Sequence, residues 1–411
     1  MPTRTAARKL KWTLFAAQAM GSAGFLVAST VTPIVGAQLS GRPAFAGVPT
    51  AFYWTGGALA ALVWGRLMDP IGRRRTLSLG LVVGVLGATL ASFFVVRQSF
   101  AGFVGGLVLM GAANSALQLA RFMAGEVHHL EERGRAISTV VLGGTVGAVL
   151  GPALVAPMSS VAIRLGGPPL AGPYAASAMF FSLGALLVAL LLRPDPRDLA
   201  REIHAASSSA ISTVRPVPEI LADRGVQTAA LTMALSQLVM VMLMVITSLH
   251  MSHHDHALSS IAAVMSSHVF GMYALSVVSG RFADRWGRGP LIAVGALVLI
   301  VACLSATVST QAPPLAFALF LLGLGWNFCY VGGSTLLSDC LSQGERARIQ
   351  SLNDFLLTSM AGLGSALSGF VFSAVGYAVM GYISALVSVV LLLLSRGARP
   401  ARPPQTATAA A

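Results

Sequence analysis

Charge is what this chain has least of. Only 10% of its 411 residues are Asp, Glu, Lys or Arg, and 14 are acidic. A soluble domain carries roughly 25% charged residues, so a conventional water-facing surface is excluded. Cysteine is almost missing. Cys303 and Cys329 fall in apolar stretches and Cys340 in a short loop, which excludes a disulfide framework and leaves all three as small apolar fillers. No G-x-x-x-x-G-K-[ST] loop is present to drive a nucleotide-powered pump. No nucleophile–base–acid set stands out either, so neither an enzyme nor a bound cofactor is expected.

What remains is apolar length. The chain is 55% hydrophobic, with a mean hydropathy of +0.77. Its few charges sit in islands between apolar runs of about 20 residues, the length that spans a ~30 Å hydrocarbon core as helix. Helix is required inside lipid, because each backbone amide must be satisfied within its own segment. The runs predict twelve transmembrane helices at about 12–36, 48–68, 76–96, 100–123, 136–158, 174–192, 227–249, 259–282, 290–309, 315–337, 348–373 and 376–395. The first continues through Val35, too long for a secretory signal core, and reads as a retained membrane helix.

The charge islands repeat. Gly65-Arg66-Leu67-Met68-Asp69-Pro70-Ile71-Gly72-Arg73-Arg74-Arg75 recurs 215 positions later as Gly280-Arg281-Phe282-Ala283-Asp284-Arg285-Trp286-Gly287-Arg288. Glu132-Arg133-Gly134-Arg135 recurs 213 positions later as Glu345-Arg346-Ala347-Arg348. Two unrelated patterns at nearly one offset indicate duplication of half the chain. They divide it into a six-helix bundle at 1–192, a cytoplasmic linker at 193–226, a second bundle at 227–395 and a disordered tail at 396–411. Within the linker, Asp198 to Ala206 reads as an amphipathic helix on the inner membrane surface.

A net charge of +13 could suggest nucleic acid, but its distribution gives topology instead. With the N-terminus inside, only Arg42, Arg97 and Arg164 of the 27 lysines and arginines fall in outer loops. That asymmetry puts both termini in the cytoplasm.

Polar residues inside the spans are candidate site residues, because buried polarity in a membrane is costly without a role. Asn114, Gln118 and Arg121 share one helical face. Gln18, Gln237, His268 and Asn327 lie on other spans, and these residues, with Asn114 and Gln118, form the expected substrate cavity. His268 sits deep in its span and Asp354 near the start of the eleventh, making them the proton-carrier candidates. Phe52, Tyr53 and Trp54 read as an interfacial aromatic belt or as cavity lining. Gly143, Gly147 and Gly151 recur every fourth residue, a groove for close helix approach, and Pro152 favours a kink. His253, His254 and His256, beside a methionine-rich stretch, carry a metal-binding alternative over 240–268.

Twelve helices, the halfway duplication and the turn at 65–75 resemble the major facilitator superfamily over the whole chain. Its loop signature G-x-x-x-D-x-x-G-R-[RK] is matched at Gly65, Asp69, Gly72, Arg73 and Arg74, and again at Gly280, Asp284, Gly287 and Arg288. The stretch from Gly325 to Gly333 resembles a bacterial subgroup of unknown substrate. The resemblance implies two six-helix bundles related by a pseudo-twofold axis around a central cavity, working by alternating access. It implies that Asp69 meets the eleventh helix near residue 348, and that Asp284 meets the fifth near 136, closing a cytoplasmic gate. Gly147, Gly151 and Pro152 match part of the helix-5 motif of the family's exporters, whose closing glycine pair is replaced by Val155 and Ala156. The first helix lacks the acid that many proton-driven exporters carry. The expectation is a monomeric secondary transporter in a bacterial inner membrane, moving a small organic molecule outward, coupled to protons or another ion. The alternative is an exporter of Ni, Zn or Cu.

Overall fold

The computed structural model describes residues 2–128, 130–204 and 215–398. It is helical throughout, with no strand among the described residues. The first half contains α1 (Pro2–Ser29), α2 (Thr32–Ser40), α3 (Val48–Ile71), α4 (Arg73–Val96), α5 (Phe100–Gln118), α6 (Ala120–Glu126), α7 (Leu130–Ala153), α8 (Val155–Arg164) and α9 (Gly172–Leu191). Two short helices follow, α10 (Pro196–His204) and α11 (Val217–Ala222). The second half contains α12 (Arg224–His253), α13 (Leu258–Tyr273), α14 (Ser276–Trp286), α15 (Arg288–Ser305), α16 (Ala312–Asp339) and α17 (Gln343–Leu394).

Among the described residues, nine helices are long and apolar enough to cross a membrane, or ten with the bent pair α1–α2 counted as one span. The rest of the expected twelve have simple explanations. The span formed by α3 carries Arg66 and Asp69 at its end. The helix α17 holds two spans, separated at Gly376, whose φ of +79° and ψ of 175° turn the chain back. That φ lies in the region glycine occupies without steric cost.

Four expected spans are broken rather than straight. The first bends by 41° between Ser29 and Thr32. The fourth breaks at Leu119. The fifth breaks at Leu154, two residues after Pro152, which cannot donate to the helical ladder. The eighth breaks at Ala274 and Leu275 with no proline or glycine there. Within the linker, α10 buries Leu199 and packs on α6 and α4, so the inner-surface helix lies on protein. The seventh span begins at Arg224, capped by Asp223. Residues 396–398 still belong to the second half, with Ala398 buried, while the remainder of the expected tail lies outside the described residues.

The two halves repeat each other's packing. In the first half α1 packs on α7, α3 on α5, α4 on α5 and α4 on α9. In the second, α12 packs on the start of α17, α13 on α16, α15 on α16 and α15 on the end of α17. Side chains repeat too. Thr32 Oγ1 and the Tyr174 hydroxyl are 2.9 Å apart, and Thr247 Oγ1 and the Tyr377 hydroxyl are 2.8 Å apart. Each pair joins the first and last spans of its half.

Glycine sets the closest contacts. A Cβ on Gly143, Gly147 or Gly151 would press on the carbonyls of Phe15, Ala19 and Ala23 respectively. One periodic face of α7 thus lies directly on the backbone of α1, as the four-residue spacing anticipates. Gly147→Leu should therefore force α1 from α7 and cost on the order of 1–3 kcal/mol. The expected result is a melting temperature several degrees lower in detergent by fluorescence-detected unfolding. An unchanged melt would mean that the groove is not a tight contact.

Candidate functional site

The two repeated turns have one backbone shape. Gly72 has φ +91° and ψ 159°; Gly287 has φ +91° and ψ 167°. Each separates two helices with no other residue between them, and the positive φ explains glycine at both. The arginine that follows is used identically. Arg73 Nη1 donates to the Met68 carbonyl at 3.3 Å, and its Nε donates to Glu126 at 3.2 Å. Arg288 Nη1 donates to the Ala283 carbonyl at 3.0 Å, and its Nε donates to Asp339 at 2.8 Å. Glu126 and Asp339 end equivalent helices, 213 positions apart. That offset equals the spacing of the Glu132 and Glu345 patterns in the sequence, the signal that points to both acids.

The turns are not equivalent in every respect. Asp195, after α9, accepts the backbone N–H groups of Arg73 and Arg74 at 3.2 and 3.1 Å. It thereby caps the exposed donors at the start of α4. Asp284, expected near residue 136, instead has a 78% exposed side chain, and its ion pair is with Arg288 of the next helix at 3.9 Å. A solvated carboxylate beside its own arginine gains little from a distant helix end once the two halves are apart. The side chain of Asp69 lies outside the described residues, as does that of Arg133.

The halves meet unevenly. At the end away from the turns, a Cβ on Gly47 would collide with the Ser365 carbonyl, and one on Gly369 with the Ala44 carbonyl. Phe45 and Phe370 lie 5.8 Å apart there. At the turn end, a Cβ on Gly65 or Gly280 would meet nothing within 4 Å. The interface is thus shut at the far end and loose at the turn end. It is bridged there by Arg121 Nη2 donating to Asp354 Oδ2 at 2.6 Å, with the two side chains 26% and 39% exposed.

The expected cavity residues divide into two groups. Asn114 is half-buried and Gln118 exposed, on the face that carries Arg121. Gln237 accepts from Trp326 Nε1 at 2.8 Å, and Trp326 stacks on Tyr330 at 5.0 Å. Gln118 thus precedes Arg121 of the bridge by three residues, and Gln237 holds an aromatic stack of the second half. The others serve single bundles. Gln18 donates to Ser22 at 3.4 Å within its own helix. His268 is 0% exposed, and its Nδ1 bonds the Leu319 carbonyl at 2.9 Å. A carbonyl only accepts, so Nδ1 carries the hydrogen and the ring is held against α16. Asn327 donates to the Met272 carbonyl at 2.7 Å and to Ser276 at 3.0 Å, and accepts from Ser279. It satisfies the groups freed where α13 ends and α14 begins. Sequence reasoning found these polar residues but could not distinguish a cavity wall from a repair of broken helix.

His250 and His254 lie in edge contact, with ring centroids 4.5 Å apart, but the other imidazoles are turned to separate partners. His254 Nδ1 bonds the His250 carbonyl at 2.8 Å, and His256 Nε2 bonds the Thr310 carbonyl at 2.8 Å. His253 lies 5.9 Å from the Phe372 ring. Among the described residues no group of three His, Cys, Asp or Glu is placed to hold a metal ion.

Two pseudo-symmetric helical halves, closed at one end and bridged at the other, define a transporter-type membrane fold. A family model described as Major Facilitator Superfamily matches residues 14–258 and 229–411, and the chain belongs to that family. The uncharacterized MFS-type transporter YdeG of Bacillus subtilis is 34% identical over 93% of this chain and 90% of its own. The riboflavin transporter RfnT of Brucella anthropi is 28% identical, covering 96% and 97%. A solved bacterial homologue of the human lysosomal transporter Spinster, inward-facing and unoccupied, superposes with a TM-score of 0.70 at 15% identity, covering 95% of this chain and 97% of that one.

The second repeated pattern supplies a tie that sequence reading missed. Glu345 has a side chain 1% exposed and bonds Arg215 Nε at 2.8 Å and Nη2 at 2.9 Å. It also completes a capping box with Ser342. The Arg215 guanidinium holds its carboxyl down at about 2. A carboxylate depressed in the fold contributes stability above its unfolded pKa of roughly 4.3 and loses it as pH falls toward the folded value. Hydrogen exchange at 215–222 and 343–348 should therefore be slow and level from pH 7 to about 5, then quicken progressively toward pH 2 after correction for intrinsic rates. Glu345→Gln should be fast throughout; equal protection in the variant would remove the tie from the account.

Proposed function

We propose that this chain is a proton-coupled secondary transporter of a small organic molecule, working by alternating access in a bacterial inner membrane, with Asp354 as the proton carrier. The observation that carries the reading is the Arg121–Asp354 pair, which joins the two halves where their interface is otherwise loose. The charge asymmetry of the loops supports placing that end, and both termini, in the cytoplasm. Asp354 is reachable by water there. Protonating it leaves Arg121 without its counter-charge, so the bridge and the proton exclude one another. A contact present in one state and absent in another biases the equilibrium between them.

Of the two carrier candidates, His268 is wholly buried inside one half and tied to Leu319, which favours Asp354. Asn114 and Gln118 from the first half and Gln237 from the second supply polar groups near the bridge. Export is supported by the partial match at Gly147, Gly151 and Pro152. A small organic substrate is supported by the riboflavin transporter among the relatives matched along nearly the whole chain.

Reconstituted into proteoliposomes, the protein should transport a substrate drawn from a stabilisation screen that includes riboflavin, and an imposed pH gradient should accelerate it several-fold. Asp354→Asn should reduce transport to the rate seen without a gradient. Wild-type transport indifferent to the gradient would remove the proton from the mechanism.

A further inference from the structure

The bridge at the turn end is half made. Arg121 presents a planar fork of donors, yet its bond to Asp354 runs through Nη2, to one oxygen, at 2.6 Å. The neighbouring Nε is buried with no partner. An Arg–carboxylate pair is strongest when two parallel N–H groups meet two oxygens, and a buried donor left unsatisfied is costly. Nε and Nη2 form the edge of the guanidinium that a planar oxyanion fits. The Arg121 guanidinium also lies over the Phe122 ring at 4.9 Å, which limits its freedom to turn elsewhere.

Beside it stands a rigid aromatic ledge. Tyr330 stacks on Trp326 at 5.0 Å with 20° between their planes. Trp326 is 8% exposed and fixed by Gln237. Tyr330 is half-buried and within electrostatic reach of both Arg121 and Asp354. An aromatic ring gains from offset stacking at such a separation.

We propose that the site takes a planar aromatic monoanion, with its ring on the Tyr330 ledge and its carboxylate on Nε and Nη2 of Arg121, displacing Asp354. The proposal rests on Asp354 being the proton carrier. Charge then fixes the coupling. The empty site is neutral as Arg⁺ and Asp⁻. Binding the anion alone makes it −1; protonating Asp354 alone makes it +1; doing both restores neutrality. Uncompensated charge in a membrane interior is penalised, so the two neutral forms are those that change state. The proton comes from water to the Asp354 carboxylate as the anion arrives. Anion and proton therefore travel together, and the transporter runs with the proton gradient, inward across a bacterial inner membrane, against the export expectation raised by the fifth helix.

The test uses the purified full-length protein and four probes: 2-naphthoate, its neutral carboxamide, cyclohexanecarboxylate and 2-naphthylmethylammonium. Titration calorimetry in buffers of different ionisation enthalpy, at about pH 7.5, reads affinity and proton uptake together. Naphthoate should bind at least roughly tenfold more tightly than the other three, with close to one proton taken up per ligand. Arg121→Lys, which keeps the charge and loses the fork, should weaken naphthoate about tenfold while its ligand-free melt stays near wild type. Tyr330→Leu should weaken naphthoate and leave cyclohexanecarboxylate unchanged. Asp354→Asn should bind naphthoate without proton uptake. Equal binding of the carboxamide, tighter binding of the ammonium probe, or naphthoate binding without proton uptake in wild type would each overturn the proposal. If naphthoate fails to bind while a pH gradient still drives transport through Asp354, the anion site is wrong and the carrier reading stands.

Discussion

In each half an arginine at the start of a helix closes three helix ends around itself. Arg73 reaches back to the Met68 carbonyl of α3 and across to Glu126 of α6; Arg288 does the same with Ala283 of α14 and Asp339 of α16. Both follow a glycine at φ +91°. Charge-assisted bonds to a carbonyl and a carboxylate fix the angle between consecutive spans at the point where a membrane protein could otherwise splay. These ties brace consecutive spans within each half, as the proposed rocking of one half against the other requires. Asp195 reinforces this in the first half only, where α10 folds onto the bundle. The second half is tied through Arg215 and Glu345 instead. The ends of the linker are thus each fastened to the bundle they adjoin.

The surface between the bundles is built from two kinds of contact. At the far end it is backbone against backbone, with Gly47 and Gly369 giving van der Waals contact that has no pH dependence. At the turn end it is a partly exposed ion pair, Arg121–Asp354, the contact through which the proposed proton and ligand would act. A carrier needs this asymmetry: one end closes by shape, and the other opens or closes by charge.

Much of the architecture was legible in the sequence because lipid removes alternatives. The length of each apolar run, the duplicated turns and the glycine spacing at 143, 147 and 151 all translate directly into helices and their contacts. The breaks were less legible. Pro152 announced one, but nothing in Tyr273-Ala274-Leu275 announces another, where Asn327, on a different helix, donates to the Met272 carbonyl and the Ser276 hydroxyl. The site was partly legible for the same reason. Sequence identifies a polar residue in a span but not its partner, so His268 and Asn327 looked like Gln237. Arg121 and Asp354 are separated by 233 positions, and only the fold brings them together.

The most direct test of the central claim is a pair of spin-label distances in a cysteine-free background reconstituted in lipid nanodiscs. One pair, at Arg75 and Arg285, spans the bundles at the turn end; the other, at Arg42 and Val308, spans them at the far end. Rigid halves that rock about a fixed site require the two distributions to change in opposite senses as pH or ligand is varied, the first shortening as the second lengthens. Distributions that stay fixed, or that lengthen together, would contradict the account.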